Sequence, residues 1–177
     1  KYFNKEKYDV RVMLPKYMCM KEEWMEKLTY HTHFYMDLNW RKQYVGVLIY
    51  EYEGITFYFI DNEYYFNGFA PYGDMYADIE KFAFFSKAVL SALPLIDFRP
   101  DIIHCHDWQT GLVPVYLDNF RYGNEFYRGI KTIMTIHNLK FQGTWDAKRV
   151  GDITGLPEYY FSPDKLEAYK DANYLKG

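Results

Sequence analysis

Apolar positions in this chain follow two rhythms, and the order in which these alternate sets the expected architecture. Residues 44–52 and 55–60 are runs of β-branched and aromatic side chains joined by Glu53-Gly54, which reads as a β-hairpin. Residues 9–14 read as a strand of mixed polarity. Residues 21–28 read as a short charged helix with Trp24, Met25 and Leu28 on one face. The strongest helical pattern spans residues 78–93, where Ile79, Phe82, Val89 and Leu93, flanked by Ala83 and Leu90, form an apolar stripe that Pro94 terminates.

Beyond that helix the pattern is strand, helix, strand: residues 101–104, about 110–121, and 131–136. Such a succession implies a right-handed parallel crossover, hence an α/β fold with a Rossmann-like parallel sheet and an added hairpin. Pro114 would kink the middle helix unless it lies in the first turn, which favours a start near Thr110. Pro100 fixes the approach to the first strand, and Asp107 or Thr110 is expected to cap the helix that follows. Both strands run into polar residues, so His104–Trp108 and His137–Gln142 are expected to be neighbours at one sheet edge, where open α/β sheets bind ligands.

Composition narrows the function without naming it. The 177 residues are 49% hydrophobic and 25% charged, enough for one globular core. A net charge of -3 gives no electrostatic reason to expect nucleic acid or an anionic membrane as partner. The 20 Tyr, 14 Phe and 4 Trp suit sugar stacking, but most sit in strand-like runs where packing explains them. Cys19 and Cys105 have no metal or redox spacing, so Cys105 is read as a small buried thiol in a reducing compartment. With no signal-peptide pattern and no apolar run near 18 residues, a soluble, cytoplasmic protein is expected.

The candidate chemistry lies in His104-Cys-His-Asp107. One reading is a metal-dependent hydrolase using His104, His106 and Asp107. The remaining ligands are missing from it, since His31 and His33 lie in a different, strand-like segment. The other reading places the strand end between the two histidines, with His104 in the core bonded to backbone and His106 at the crevice. Asp107 is then a cap or turn residue, Trp108 packs against the sheet, and Gly111 allows close helix packing. His137 and Asn138 stand at the second strand end. Gln142-Gly143 reads as a turn, and the Gln142 amide either bonds sugar hydroxyls or its own backbone.

Asp101-Ile-Ile-His-Cys-His-Asp-Trp-Gln-Thr-Gly-Leu-Val-Pro114 and Thr135-Ile-His-Asn-Leu-Lys-Phe-Gln-Gly143 resemble two signatures of the bacterial glycogen synthases and plant starch synthases. Asp9-Val-Arg-Val-Met-Leu-Pro15, Phe57-Tyr-Phe-Ile-Asp61, the segment from Asp78 to Phe82 and Asn173-Tyr-Leu-Lys-Gly177 follow in the family's order. Phe141 replaces a more usual tyrosine, and Ile79 and Lys81 depart from the family's pattern, in which an arginine precedes the phenylalanine.

The resemblance implies a two-domain GT-B retaining glucosyltransferase that moves glucose from ADP-glucose to the non-reducing end of an α-1,4-glucan, with UDP-glucose open because the base-reading residues belong to the second domain. It implies no metal or other cofactor. In this frame residues 1–177 are part of the N-terminal, acceptor-side domain, incomplete at both ends, with a Lys-x-Gly-Gly loop expected before Lys1 and the nucleotide-binding domain after Gly177. The chain alone is expected to be inactive. By the same resemblance His106 is the catalytic candidate, bordering the donor sugar, while Asp78, Asn138 and Gln142 are the substrate-binding candidates; read from its position alone, Asp78 is a cap or first-turn acid of the long helix. A non-catalytic glucan-binding module is the further alternative, suggested by the aromatics.

Overall fold

The computed structural model describes residues 3–177, and the chain separates into two compact units. The first takes in residues up to Met36 together with Tyr44–Tyr72; the second comprises Asp37–Gln43 and Gly73–Gly177.

The first unit is built on a sheet of strands β1 (Arg11–Pro15), β2 (Thr29–Leu38), β3 (Arg41–Tyr52) and β4 (Ile55–Asp61) in the order β1-β4-β3-β2. β1 runs parallel to β4, with Arg11 opposite Thr56, whereas β3 and β4 form the expected antiparallel hairpin. Its turn residues, Glu53 and Gly54, take φ of 50° and 71°, the two positive values that let a two-residue turn follow the strand twist. The expected helix over residues 21–28 shrinks to the single turn α1 (Glu22–Met25), which buries no residue. A second short helix, α2 (Glu63–Phe66), is capped by the Asn62 side chain.

In the second unit, α3 (Met75–Ala92) buries Ile79, Phe82, Ala83, Val89 and Leu90 as its apolar stripe requires. It begins earlier than residue 78, because Asp74 is the residue whose side chain accepts the Tyr76 N–H. β5 (Ile102–His106) and β6 (Lys131–Thr135) pair in parallel, joined through a 3-10 turn at Trp108–Thr110 and helix α4 (Leu112–Arg121). Pro114 lies in the first turn of α4. β7 (Thr144–Asp146), α5 (Ala147–Thr154), β8 (Glu167–Ala168) and β9 (Asp171–Asn173) complete the unit, with the three strands in the order β7-β9-β8.

Candidate functional site

Parallel register brings the chemistry together. Ile102 stands opposite Lys131 and His106 opposite Thr135, so the two strands end level and the residues after Thr135 run past His106. β5 continues through His106, and the expected strand end between the histidines is not observed. The Asp107 N–H extends the ladder to the Thr135 carbonyl at 2.9 Å. Two residues apart on one strand, His104 and His106 share a face, their ring centroids 4.3 Å apart.

His104 departs from its expected place in the core. It is exposed, and its Nε2 pairs with Thr135 Oγ1 at 2.7 Å. The inward position belongs to Cys105 between the histidines, which is 2% exposed and whose thiol burial pushes up to about 12.

His106 Nδ1 lies 3.1 Å from His137 Nε2, with the rings 16° from parallel. Desolvation first, then the imidazoles of His104 and His137, hold His106 below the usual histidine range against the opposing pull of Asp107. At neutral pH the ring is therefore an uncharged donor and acceptor.

Asp107 and Thr110 do not cap α4. Asp107 has φ 57° and ψ -177°, and its carboxylate reaches the other strand end, accepting the His137 N–H at 2.6 Å and the Asn138 N–H at 3.4 Å. Thr110 Oγ1 accepts the His106 N–H at 2.7 Å and donates toward the His106 carbonyl at 2.8 Å. Asp107 thus joins the two strand ends, and Thr110 fixes the backbone of His106.

Beneath this edge, Trp108 is buried edge-to-face on Phe82 with centroids 5.1 Å apart, and Tyr174 lies next to it. Gly143, at φ 65°, presses on the indole, where a Cβ would come within 2.4 Å of Trp108 Cε3. A Cβ on Gly111 would stand 2.2 Å from the Tyr174 carbonyl oxygen, so the close approach expected there is present. The tail also pins the second loop, since the Tyr174 and Leu175 N–H groups donate to the Gly143 and Gln142 carbonyls, each at 3.1 Å.

Residues 1–177 match the family described as starch synthase catalytic domain. The chain belongs to this family. It is 72% identical over its whole length to a protein named glycogen synthase from Lachnoclostridium phytofermentans and 69% identical to one from Lachnospira eligens, covering 37% of each. The chain therefore spans little more than a third of the length of these curated relatives. Among solved structures it resembles the catalytic domain of starch synthase IV from Arabidopsis thaliana bound to ADP and acarbose, with a TM-score of 0.79 and 27% identity over 97% of this chain and 36% of that one. The Rossmann-like α/β arrangement is that of a GT-B starch synthase catalytic domain.

Membership of this family gives the metal-hydrolase and binding-module readings no support. Among the described residues, no group of three or more His, Cys, Asp and Glu side chains is arranged to hold a metal ion, and the Asp107 carboxylate is turned to backbone N–H groups. No helix among them is long and apolar enough to cross a membrane.

The other candidates fare differently. Asn138 is exposed at the same edge; its Oδ1 accepts the Lys140 N–H at 3.0 Å while its amide N–H groups make no hydrogen bond among the described residues. Gln142 Oε1 accepts from Asn173 Nδ2 at 2.7 Å and Nε2 donates to the Leu139 carbonyl at 3.1 Å, which leaves one amide N–H over. Gln142 and Asn173, with Phe141 and Tyr169, line an open cavity of about 390 Å³. Asp78, by contrast, is engaged within the protein. It is 3% exposed, and its two oxygens are taken by Lys81 Nζ and the Gly73 N–H, both at 2.7 Å, so it secures the segment leading into α3. His137 and Thr135 carry no role in the reading of the sequence. Their position two residues apart at the end of the second strand was the available signal.

Proposed function

We propose that the chain supplies the acceptor-side wall of the catalytic cleft of a bacterial, cytoplasmic glycogen synthase, which transfers glucose from ADP-glucose to the non-reducing 4-hydroxyl of an α-1,4-glucan with retention. A second domain, within the part of the relatives this chain does not span, would bind the nucleotide and neutralise its diphosphate. The observation that carries the reading is the convergence of His106, His137 and Asn138 on one sheet edge, a set of hydrogen-bonding groups suited to a neutral sugar. The name shared by the bacterial relatives supports the glucan product, and ADP in the plant neighbour supports ADP-glucose as donor.

Retaining glucosyl transfer passes through an oxocarbenium-like state, so the cleft needs fixed dipoles near the anomeric carbon. His106 supplies one, as a neutral ring adjoining a backbone carbonyl held by Thr110. Asn138 and the spare N–H of Gln142 would supply donors to sugar hydroxyls. The test is His106→Ala in the full-length enzyme, where losing one preorganised contact is expected to lower kcat by about 10²- to 10³-fold with little change in KM for ADP-glucose. An unchanged kcat would remove His106 from the reaction. The chain by itself is expected to incorporate no labelled glucose into glycogen, since orientation by both walls is part of the catalysis.

A further inference from the structure

Tyr169 and Lys170 turn β8 into β9, since Ala168 pairs with Asp171 across the hairpin. Their φ values are 56° and 76°, two positive angles of the kind a two-residue hairpin turn takes, for which Asn-Gly or Asp-Gly is the usual sequence. A bulky side chain at the first of these places is unfavourable. Packing does not account for it, because the Tyr169 side chain is fully exposed and makes no hydrogen bond or ring contact among the described residues. The turn is nonetheless fixed, Glu167 Oε1 accepting the Lys170 N–H at 2.6 Å.

What Tyr169 does join is the wall of the open cavity of about 390 Å³, where the exposed ring of Phe141 stands as well. The joined amides of Gln142 and Asn173 also line it, and one Gln142 N–H is left over there. Lys140 and Asp171 on the same wall offset one another in charge. Aromatic faces beside neutral amides suit a ligand with apolar C–H faces and uncharged hydroxyls, whereas a phosphate group would call for an excess of positive charge. The loop that carries Phe141 and Gln142 is the one that opens with His137 and Asn138, so it leads from the sheet edge to this cavity.

We propose that Tyr169 is a glucan contact, its ring and that of Phe141 receiving C–H faces of glucose residues in the acceptor chain while the Gln142 amide bonds a hydroxyl. Naming the occupant as the acceptor rests on the function proposed above; the exposed ring held beside neutral amides does not.

The experiment uses the full-length protein carrying this chain, as wild type, Tyr169→Gly, Tyr169→Phe and Lys170→Gly, with maltoheptaose binding measured by calorimetry in the absence of donor. Tyr169→Gly is expected to bind about 3- to 10-fold more weakly, as for loss of one aromatic contact. It is also expected to melt no lower than wild type, because glycine is at ease at φ 56°. Weaker binding without loss of stability separates a ligand contact from a structural role. Tyr169→Phe keeps the ring and should bind within about twofold of wild type, and Lys170→Gly, which relaxes the turn and leaves the ring in place, should do the same. Binding unchanged in Tyr169→Gly, or weakened as much in Tyr169→Phe or Lys170→Gly, overturns the proposal.

Transfer kinetics supply the second arm. In Tyr169→Gly, KM for maltoheptaose is expected to rise about 3- to 10-fold with KM for ADP-glucose held within about twofold. A rise confined to KM for ADP-glucose would overturn the assignment to the acceptor. Maltoheptaose binding that depends on Tyr169 in a wild-type protein that transfers no glucose would refute the proposed reaction and leave the glucan contact standing.

Discussion

Asp107 occupies a backbone conformation that a side chain ordinarily forbids, and substitutions there separate the energy of its strain from that of its hydrogen bonds. At φ 57° and ψ -177° it lies in a region populated essentially by glycine, which costs any other residue about 1–3 kcal/mol. Opposing this, its carboxylate accepts the His137 N–H at 2.6 Å, a charge-assisted bond of about 1.5–3 kcal/mol. The 3.4 Å approach of the Asn138 N–H adds little.

Asp107→Ala removes the carboxylate and keeps the strain, so a loss of about 1.5–3 kcal/mol is expected, toward the lower end because water can reach the freed N–H. Asp107→Gly loses the same bond but recovers about 1–3 kcal/mol of strain, less about 0.5–1 kcal/mol for the greater freedom of glycine in the unfolded chain. Glycine should therefore be more stable than alanine by up to about 2.5 kcal/mol, the reverse of their usual order. Asp107→Asn retains an uncharged acceptor and should lie nearest the wild type. Urea denaturation followed by fluorescence gives the ranking, with slopes checked for constancy so that midpoints can be compared. An alanine variant as stable as the glycine variant would show that the backbone of Asp107 is not strained.

Three further outcomes follow from neighbouring groups. Cys19 is exposed while Cys105 is buried with its thiol pushed up to about 12, so a thiol reagent at pH 8 should modify one cysteine rapidly and the second only on unfolding; two fast thiols would contradict the packing. Gly143→Ala meets both a positive φ and the Trp108 ring, and is expected to lower stability by about 1–3 kcal/mol or more; a melting temperature equal to wild type would refute the contact. His106 should titrate below the ordinary histidine range, so the stability linked to its neutral ring is present above that range and lost as pH falls through the lowered value. NMR titration checks the direction, and His104→Ala should raise it, since the His104 imidazole is one of the groups depressing it.

Much of this was legible in the sequence because it rests on local period. The hairpin at Glu53-Gly54, the stripe of α3 and the parallel pairing of β5 with β6 each follow from spacing and turn chemistry within a few residues. The departures at the strand end are non-local. Where β5 ends depends on the Asp107 N–H finding the Thr135 carbonyl on another strand, and whether His104 is buried depends on which face of β5 receives Cys105. The cap of α3 moved to Asp74 because Asp78 found Lys81 and the Gly73 N–H instead, a choice between two aspartates that spacing alone does not make. The three short strands β7, β8 and β9 are too brief to leave a period at all.

The same distinction explains why loops can serve as a preorganised surface here. Electrostatic stabilisation of a transition state works only if the dipoles do not reorient during the reaction, and residues beyond a strand end are normally the least able to hold still. In this chain they are held from two sides. From above, Asp107 carries a hydrogen bond across to His137, and Thr110 clasps the backbone of His106. From below, Trp108 rests on Phe82 and Tyr174, with Gly111 and Gly143 admitting the tail and the indole at distances no side chain would permit. The tail strand and Tyr174 are thus part of the site although none of their side chains lies among the imidazoles. A change at Tyr174 should disturb His106 through Trp108 and the Gln142-Gly143 loop, because the Tyr174 hydroxyl is anchored on the Ile79 carbonyl of α3 and its backbone N–H on Gly143.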